Sequence, residues 1–197
     1  RLGKAQPGAA RLLAAGILIS GVVMLVRVGV VTVGLNRALL AHLAPPLAAG
    51  AAAMALATAL LLWRRPAQAG PALPISNPLA VGTALKIAAF IALVLLAAEI
   101  LRRHYGDVGV LIIAAISGIG DVDAVSISMA RLGGGDLATP VAAQAILVAV
   151  AVNTLSKAAM AGLVGGRRIG LIVAGASLLA LAAGFAAFRA QPVLAGL

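Results

Sequence analysis

The chain has 197 residues, of which 63% are hydrophobic, 10% charged and 3% aromatic, with a mean hydropathy of +1.15. A water-soluble domain of this size cannot hide so much apolar surface, so a soluble enzyme is excluded and a lipid bilayer is needed as the solvent. The net charge of +10 is scattered in basic runs of no more than two residues without an aromatic stacking platform, which argues against nucleic acid and for the basic flanks of membrane helices. With no cysteine, neither disulfides nor thiolate metal ligands contribute.

A bilayer-spanning helix needs about 20 mainly apolar residues. Six segments qualify, at 12–35, 46–63, 79–101, 108–131, 140–164 and 169–188. The first holds Arg27 deep inside it, where a guanidinium that cannot be neutralised must pair or meet water. The second carries no charge. Between Arg64 and Pro78 four prolines forbid a continuous helix. In the third, Lys86 lies close enough to one end to snorkel, and Glu99 can pair with Arg102 or Arg103 one turn away.

The fourth segment places Asp121 and Asp123 near its middle, where each carboxylate costs about 2.5–3.5 kcal/mol on an insertion scale. Just before them, Ser117-Gly118-Ile119-Gly120 combines weak helix formers, so the helix is expected to break there. On an intact helix the two aspartates would diverge by about 200° and could not share one cavity. A break frees backbone carbonyls for a cation and presents a restarting helix to an anion. Ser126 and Ser128 add hydroxyls, and either aspartate is also a good cap for a restarting half-helix. After Arg131, Gly133-Gly134-Gly135 reads as a turn, since no Lys or Ser follows in a phosphate-loop pattern.

In the fifth segment Asn153, Ser156 and Lys157 form a polar stripe, Asn153 and Lys157 sitting one turn apart. The ammonium needs an acidic partner, and Asp121 or Asp123 is the expected one, either as a structural ion pair or as a pair that opens for a substrate ion. The sixth segment is uncharged. Arg27, Lys86 and Lys157 balance Glu99, Asp121 and Asp123, an intramembrane network near neutrality.

The expected fold is therefore an all-α integral membrane bundle of about six transmembrane helices in a single domain over 1–197, the fourth helix discontinuous. An even number of crossings puts both chain ends on one face, with a small excess of Lys and Arg there favouring a cytoplasmic assignment. Because the sequence starts at Arg1, a preceding region is expected to be missing. His42 and His104 stand alone, with neither a zinc-type His-Glu-x-x-His motif nor a His-based serine dyad, so an intramembrane enzyme is disfavoured.

The runs Asn77-Pro78-Leu79, Gly106-Asp107-Val108-Gly109, Ser117 through Ala124, and Ala151 through Ala158 containing Asn153-Thr154-Leu155-Ser156-Lys157, together with Met24-Leu25-Val26-Arg27, resemble the domain of unknown function 4010 along nearly the whole chain. This resemblance implies a bacterial inner-membrane domain that usually follows a MgtC/SapB-type membrane domain, the link by name to magnesium belonging to that other domain. The function expected from the residues is transport of a small ion or polar solute. Asp121 and Asp123 would bind a cation or proton, with Ser117, Ser126 and Asn153 as oxygen ligands and Lys157 and Arg27 as counter-charges. Mg²⁺, Na⁺ or a proton fits as the moving or coupling ion, Asp121 and Asp123 as the metal ligands, and no resident cofactor is called for. The partners expected are the lipid bilayer, the upstream domain and further copies of the chain. The alternative is a non-transporting scaffold or regulator whose buried charges only lock helices together.

Overall fold

The computed structural model describes residues 7–63 and 107–191. The expected third span at 79–101, with Lys86 and Glu99, lies outside the described residues, as does His104. The described chain is helical: α1 (Pro7–Leu35), a 3-10 turn (Arg37–Leu39), α2 (Leu40–Trp63), α3 (Asp107–Gly120), α4 (Val122–Leu132), α5 (Thr139–Gly165) and α6 (Arg167–Arg189). Four stretches are long and apolar enough to cross a membrane: α1, the 3-10 turn with α2, α5 and α6.

The packing is that of a protein dissolved in lipid. Ala142, Ala145, Ala149 and Ala14 are fully buried, whereas Val23, Val30, Leu56, Leu60, Leu171 and Leu178 point outward. Small side chains inside let the helix backbones approach, and large apolar ones outside meet acyl chains at no cost. At the α5–α6 corner a Cβ on Gly170 would fall 2.5 Å from the Cα of Gly162, so the two helices touch through backbone.

The second helix starts earlier than the expected residue 46, because Pro45 and Pro46 lie inside it. Proline lacks an N–H, so the carbonyl of His42, four residues before Pro46, has no partner in its own helix. The side-chain amide of Gln191, just beyond α6, donates to it at 3.1 Å. That bond lets the helix run through the prolines and ties the end of α6 to the start of α2.

Such contacts fix the direction of each helix. Ala10 and Ala14 of α1 pack in one cluster with Ala158 and Ala161 of α5 and Ile169 of α6, which defines a first face of the bundle. The end of α1, the start of α2 and the end of α6 define the second face. Asn36, just after α1, donates to the carbonyls of Ala130 at 3.2 Å and Gly133 at 2.7 Å, so α4 also ends at the second face. Val110 and Ala114 of α3 are buried with Leu39, Leu43 and the first half of α5, which places α3 in that same half.

The fourth expected span thus breaks, and the break reverses the chain. α3 enters from the second face, the chain turns at mid-depth, and α4 returns to the face it came from. α1 consequently begins at the first face while α6 ends at the second, which corrects the expectation that both chain ends share one side. The physical reason is that the 11 residues of α4 rise only about 16 Å, roughly half the hydrocarbon core, and end at the face beside which Val110 of α3 is buried. At the second face Gly133-Gly134-Gly135 forms a turn, closed by Gly134 N–H donating to the Leu137 carbonyl at 2.8 Å.

Candidate functional site

The hairpin tip carries most of the polar residues singled out in the sequence. α3 keeps its helical ladder until Asp121, whose N–H still donates to the Ser117 carbonyl at 2.9 Å. There the backbone becomes extended, with φ −149° and ψ 107°, and α4 restarts at Val122. The Asp121 carboxylate accepts the Asp123 N–H at 2.8 Å and so caps α4. A carboxylate at a helix amino end satisfies an orphan donor and faces the positive end of the helix dipole.

Asp123, in the first turn of α4, forms an ion pair with Arg27 of α1. Its side chain is 33% exposed and that of Arg27 56%, so the pair sits on the flank of the described bundle instead of in a sealed core. Because the break decouples the two aspartates from one helical register, one caps while the other reaches across to α1. Lys157 takes a different place from the expected ion pair: its ammonium donates to the Met24 sulfur at 3.2 Å, a weak acceptor, and lies within Coulombic reach of Arg27 and Asp123. The expected pairing with an aspartate is made instead by Arg27. The described tip thus holds two cations, Arg27 and Lys157, against two anions, Asp121 and Asp123.

Asn153, midway along α5, donates from Nδ2 to the Gly118 carbonyl at 2.9 Å and pins α3 to α5. The pin needs glycine at 118, where a Cβ would lie 2.6 Å from the carbonyl oxygen and 2.8 Å from the Cα of Ala149. Ser126 is buried, and its hydroxyl donates to the Val122 carbonyl of its own helix at 2.7 Å, while Ser128 is exposed. The hydroxyl of Ser117 and Oδ1 of Asn153 are buried without a hydrogen-bond partner. No cluster of three or more His, Cys, Asp or Glu residues occurs among the described residues.

A cavity of about 400 Å³ opens in the second-face half of the bundle, with Leu47, Leu147, Phe185 and Phe188 among its apolar walls and Gln144 and Thr154 as its polar side chains. Its inner end is lined by Met54 and Thr154, which also line a small cavity beside Lys157 and Ser177. Asn36 was not foreseen as part of this assembly. An Asn just past a long apolar run is a visible turn signal, but its bonds to α4, 94 and 97 residues away, leave no trace in local pattern.

The family model described as Domain of unknown function (DUF4010) matches residues 1–165. The chain belongs to the DUF4010 family. A protein of Aquifex aeolicus (strain VF5), described as an uncharacterized protein, is 32% identical over 101 residues. That alignment covers 51% of this DUF4010 chain and 44% of the Aquifex protein, less than half of the relative's length. No solved structure matches the chain. The matched stretch contains α1 to α5 and the whole hairpin tip, with α6 following it.

Proposed function

We propose that this DUF4010 chain is a transport protein of the bacterial inner membrane, moving a small ion or polar solute with a cation or proton. The observation that carries this reading is the hairpin that stops at mid-depth and holds two opposed helix ends, two carboxylates and two cationic side chains there. Irregular backbone inside a membrane is costly unless it is buried in protein or lines a cavity, and paired half-helices are a recurrent way to build ion sites. Asp123 is the exchangeable ligand: an incoming cation or proton competes with Arg27 for its carboxylate, and Lys157 stands close enough to share the displaced charge. Asp121 holds the tip in shape. Mg²⁺ at this place would have to displace Arg27, because a hard divalent cation needs anionic oxygen. Action together with an upstream MgtC/SapB-type domain, or as a homo-oligomer, belongs to the same proposal.

The closed Arg27–Asp123 pair and the capping role of Asp121 favour a second reading, a scaffold or regulator whose charges only join helices. Liposome flux separates the two. The parent, Asp121→Asn, Asp123→Asn and Asp123→Asn combined with Arg27→Met are reconstituted and tested against a panel of ions at matched amounts of folded protein. Transport predicts that Asp123→Asn folds but loses flux, and that the Arg27→Met partner change restores yield without restoring flux. Equal flux in all folded variants, or none in the parent with its neighbouring domain present, leaves the scaffold.

A further inference from the structure

The geometry points to a binding site for a monovalent alkali cation at the hairpin tip, formed by the Ser117 hydroxyl, Oδ1 of Asn153 and the carboxyl end of α3, and separate from the Arg27–Asp123 pair. The inference deepens the transport reading and rests on it for its role as a coupling site.

Four other buried hydroxyls in the described bundle satisfy themselves. Thr32, Thr58, Ser126 and Thr154 each donate to the carbonyl four residues earlier, at 2.6, 2.8, 2.7 and 2.8 Å. Ser117 is 7% exposed and makes no such bond. Asn153 is 8% exposed; its Nδ2 holds the Gly118 carbonyl and its Oδ1 is left without a donor. Ser117 immediately precedes Gly118, so both orphan oxygens belong to residues at the α3–α5 crossing. An unsatisfied buried polar atom costs about 1–3 kcal/mol, and in a membrane no bulk water offsets it.

The chemistry of the site selects its ligand. A free side-chain amide oxygen is an acceptor only, a hydroxyl oxygen can ligate through its lone pairs, and a helix carboxyl end carries partial negative charge. An amide oxygen and a helix carboxyl end suit a cation. Ser117 and Asn153 are neutral side chains, while the nearby carboxylates are engaged elsewhere, Asp121 in the cap and Asp123 with Arg27. Divalent ions require carboxylates, whereas neutral oxygens from side chains and interrupted helices serve monovalent ones.

The test is the thermal stability of the full-length protein in detergent, titrated with NaCl, KCl or LiCl against N-methyl-D-glucamine chloride at constant ionic strength. At least one alkali cation should raise the melting temperature of the parent in a saturable way. Ser117→Ala, which breaks no hydrogen bond, should fold normally and weaken that response at least about tenfold, or about 1.4 kcal/mol. Thr58→Ala, which removes a self-satisfied hydroxyl on α2, should keep it. An orphan hydroxyl with no ligand predicts the opposite pattern: no cation response in the parent, and a Ser117→Ala variant that is simply more stable. A Ser117→Ala variant that retains the parental response, or a response to MgCl₂ alone, also overturns the site. Flux that proceeds without any alkali cation leaves transport standing and removes this site, while a Ser117-dependent response in a protein without flux keeps the site and removes transport.

Discussion

At the tip, two aspartates separated by one residue divide their work because a single residue, Asp121, has extended backbone. Asp121 caps and Asp123 reaches Arg27, and the two roles respond differently to substitution. Asp121→Ala should lower stability by about 0.5–2 kcal/mol, the usual cost of losing a cap, whereas Asp121→Asn keeps an acceptor and should stay within a few tenths of the parent. Denaturation of the purified variants checks this; equal losses for Ala and Asn would mean that charge, and not capping, holds the tip. The sequence made the aspartates and the lone Arg27 conspicuous because charge inside an apolar run is costly. It could not choose between Arg27 and Lys157 as the partner of Asp123. That choice depends on which helix stands beside α4, and one-dimensional spacing contains no such information.

Helices α3 and α5 meet through backbone, so the residue at their crossing is restricted more by space than by propensity. In an exposed helix Gly→Ala gains about 1 kcal/mol. At Gly118 the new methyl would strike the Ala149 main chain, which cannot move without shifting α5 and losing the Asn153 bond. Gly118→Ala should therefore destabilise or misfold the protein, while Gly16→Ala on α1, with nothing within 4 Å of its added Cβ, should be neutral or stabilising. Melting temperatures of the two variants test the pair, and a stable Gly118→Ala protein would refute the close crossing. Among the described residues the positions of α1, α5 and α6 were readable from hydropathy, and the break from Ser117-Gly118-Ile119-Gly120 was readable to within a residue. The early start of α2 was hidden, because the donor that tolerates Pro46 comes from Gln191 at the far end of the chain.

For the whole molecule, the decisive feature is that Asp107 and Asp136 lie at the same end of the described bundle, with Gly166 at the other. The chain has no cysteine of its own, so single substitutions Asp107→Cys, Asp136→Cys and Gly166→Cys can be labelled with an impermeant maleimide in intact cells. The first two should react alike and the third oppositely; a continuous fourth helix predicts that Asp107→Cys and Asp136→Cys react oppositely. Hydropathy alone could not distinguish a broken crossing from a return, since both present the same apolar run around a polar centre. The return also dictates an order of birth. Gly118 leaves the ribosome 35 residues ahead of Asn153, the side chain that pins it. The bond between them cannot close until α5 has been made. The contact that fixes the charged tip against α5 is therefore one of the late steps of assembly, formed after both arms of the hairpin have left the ribosome.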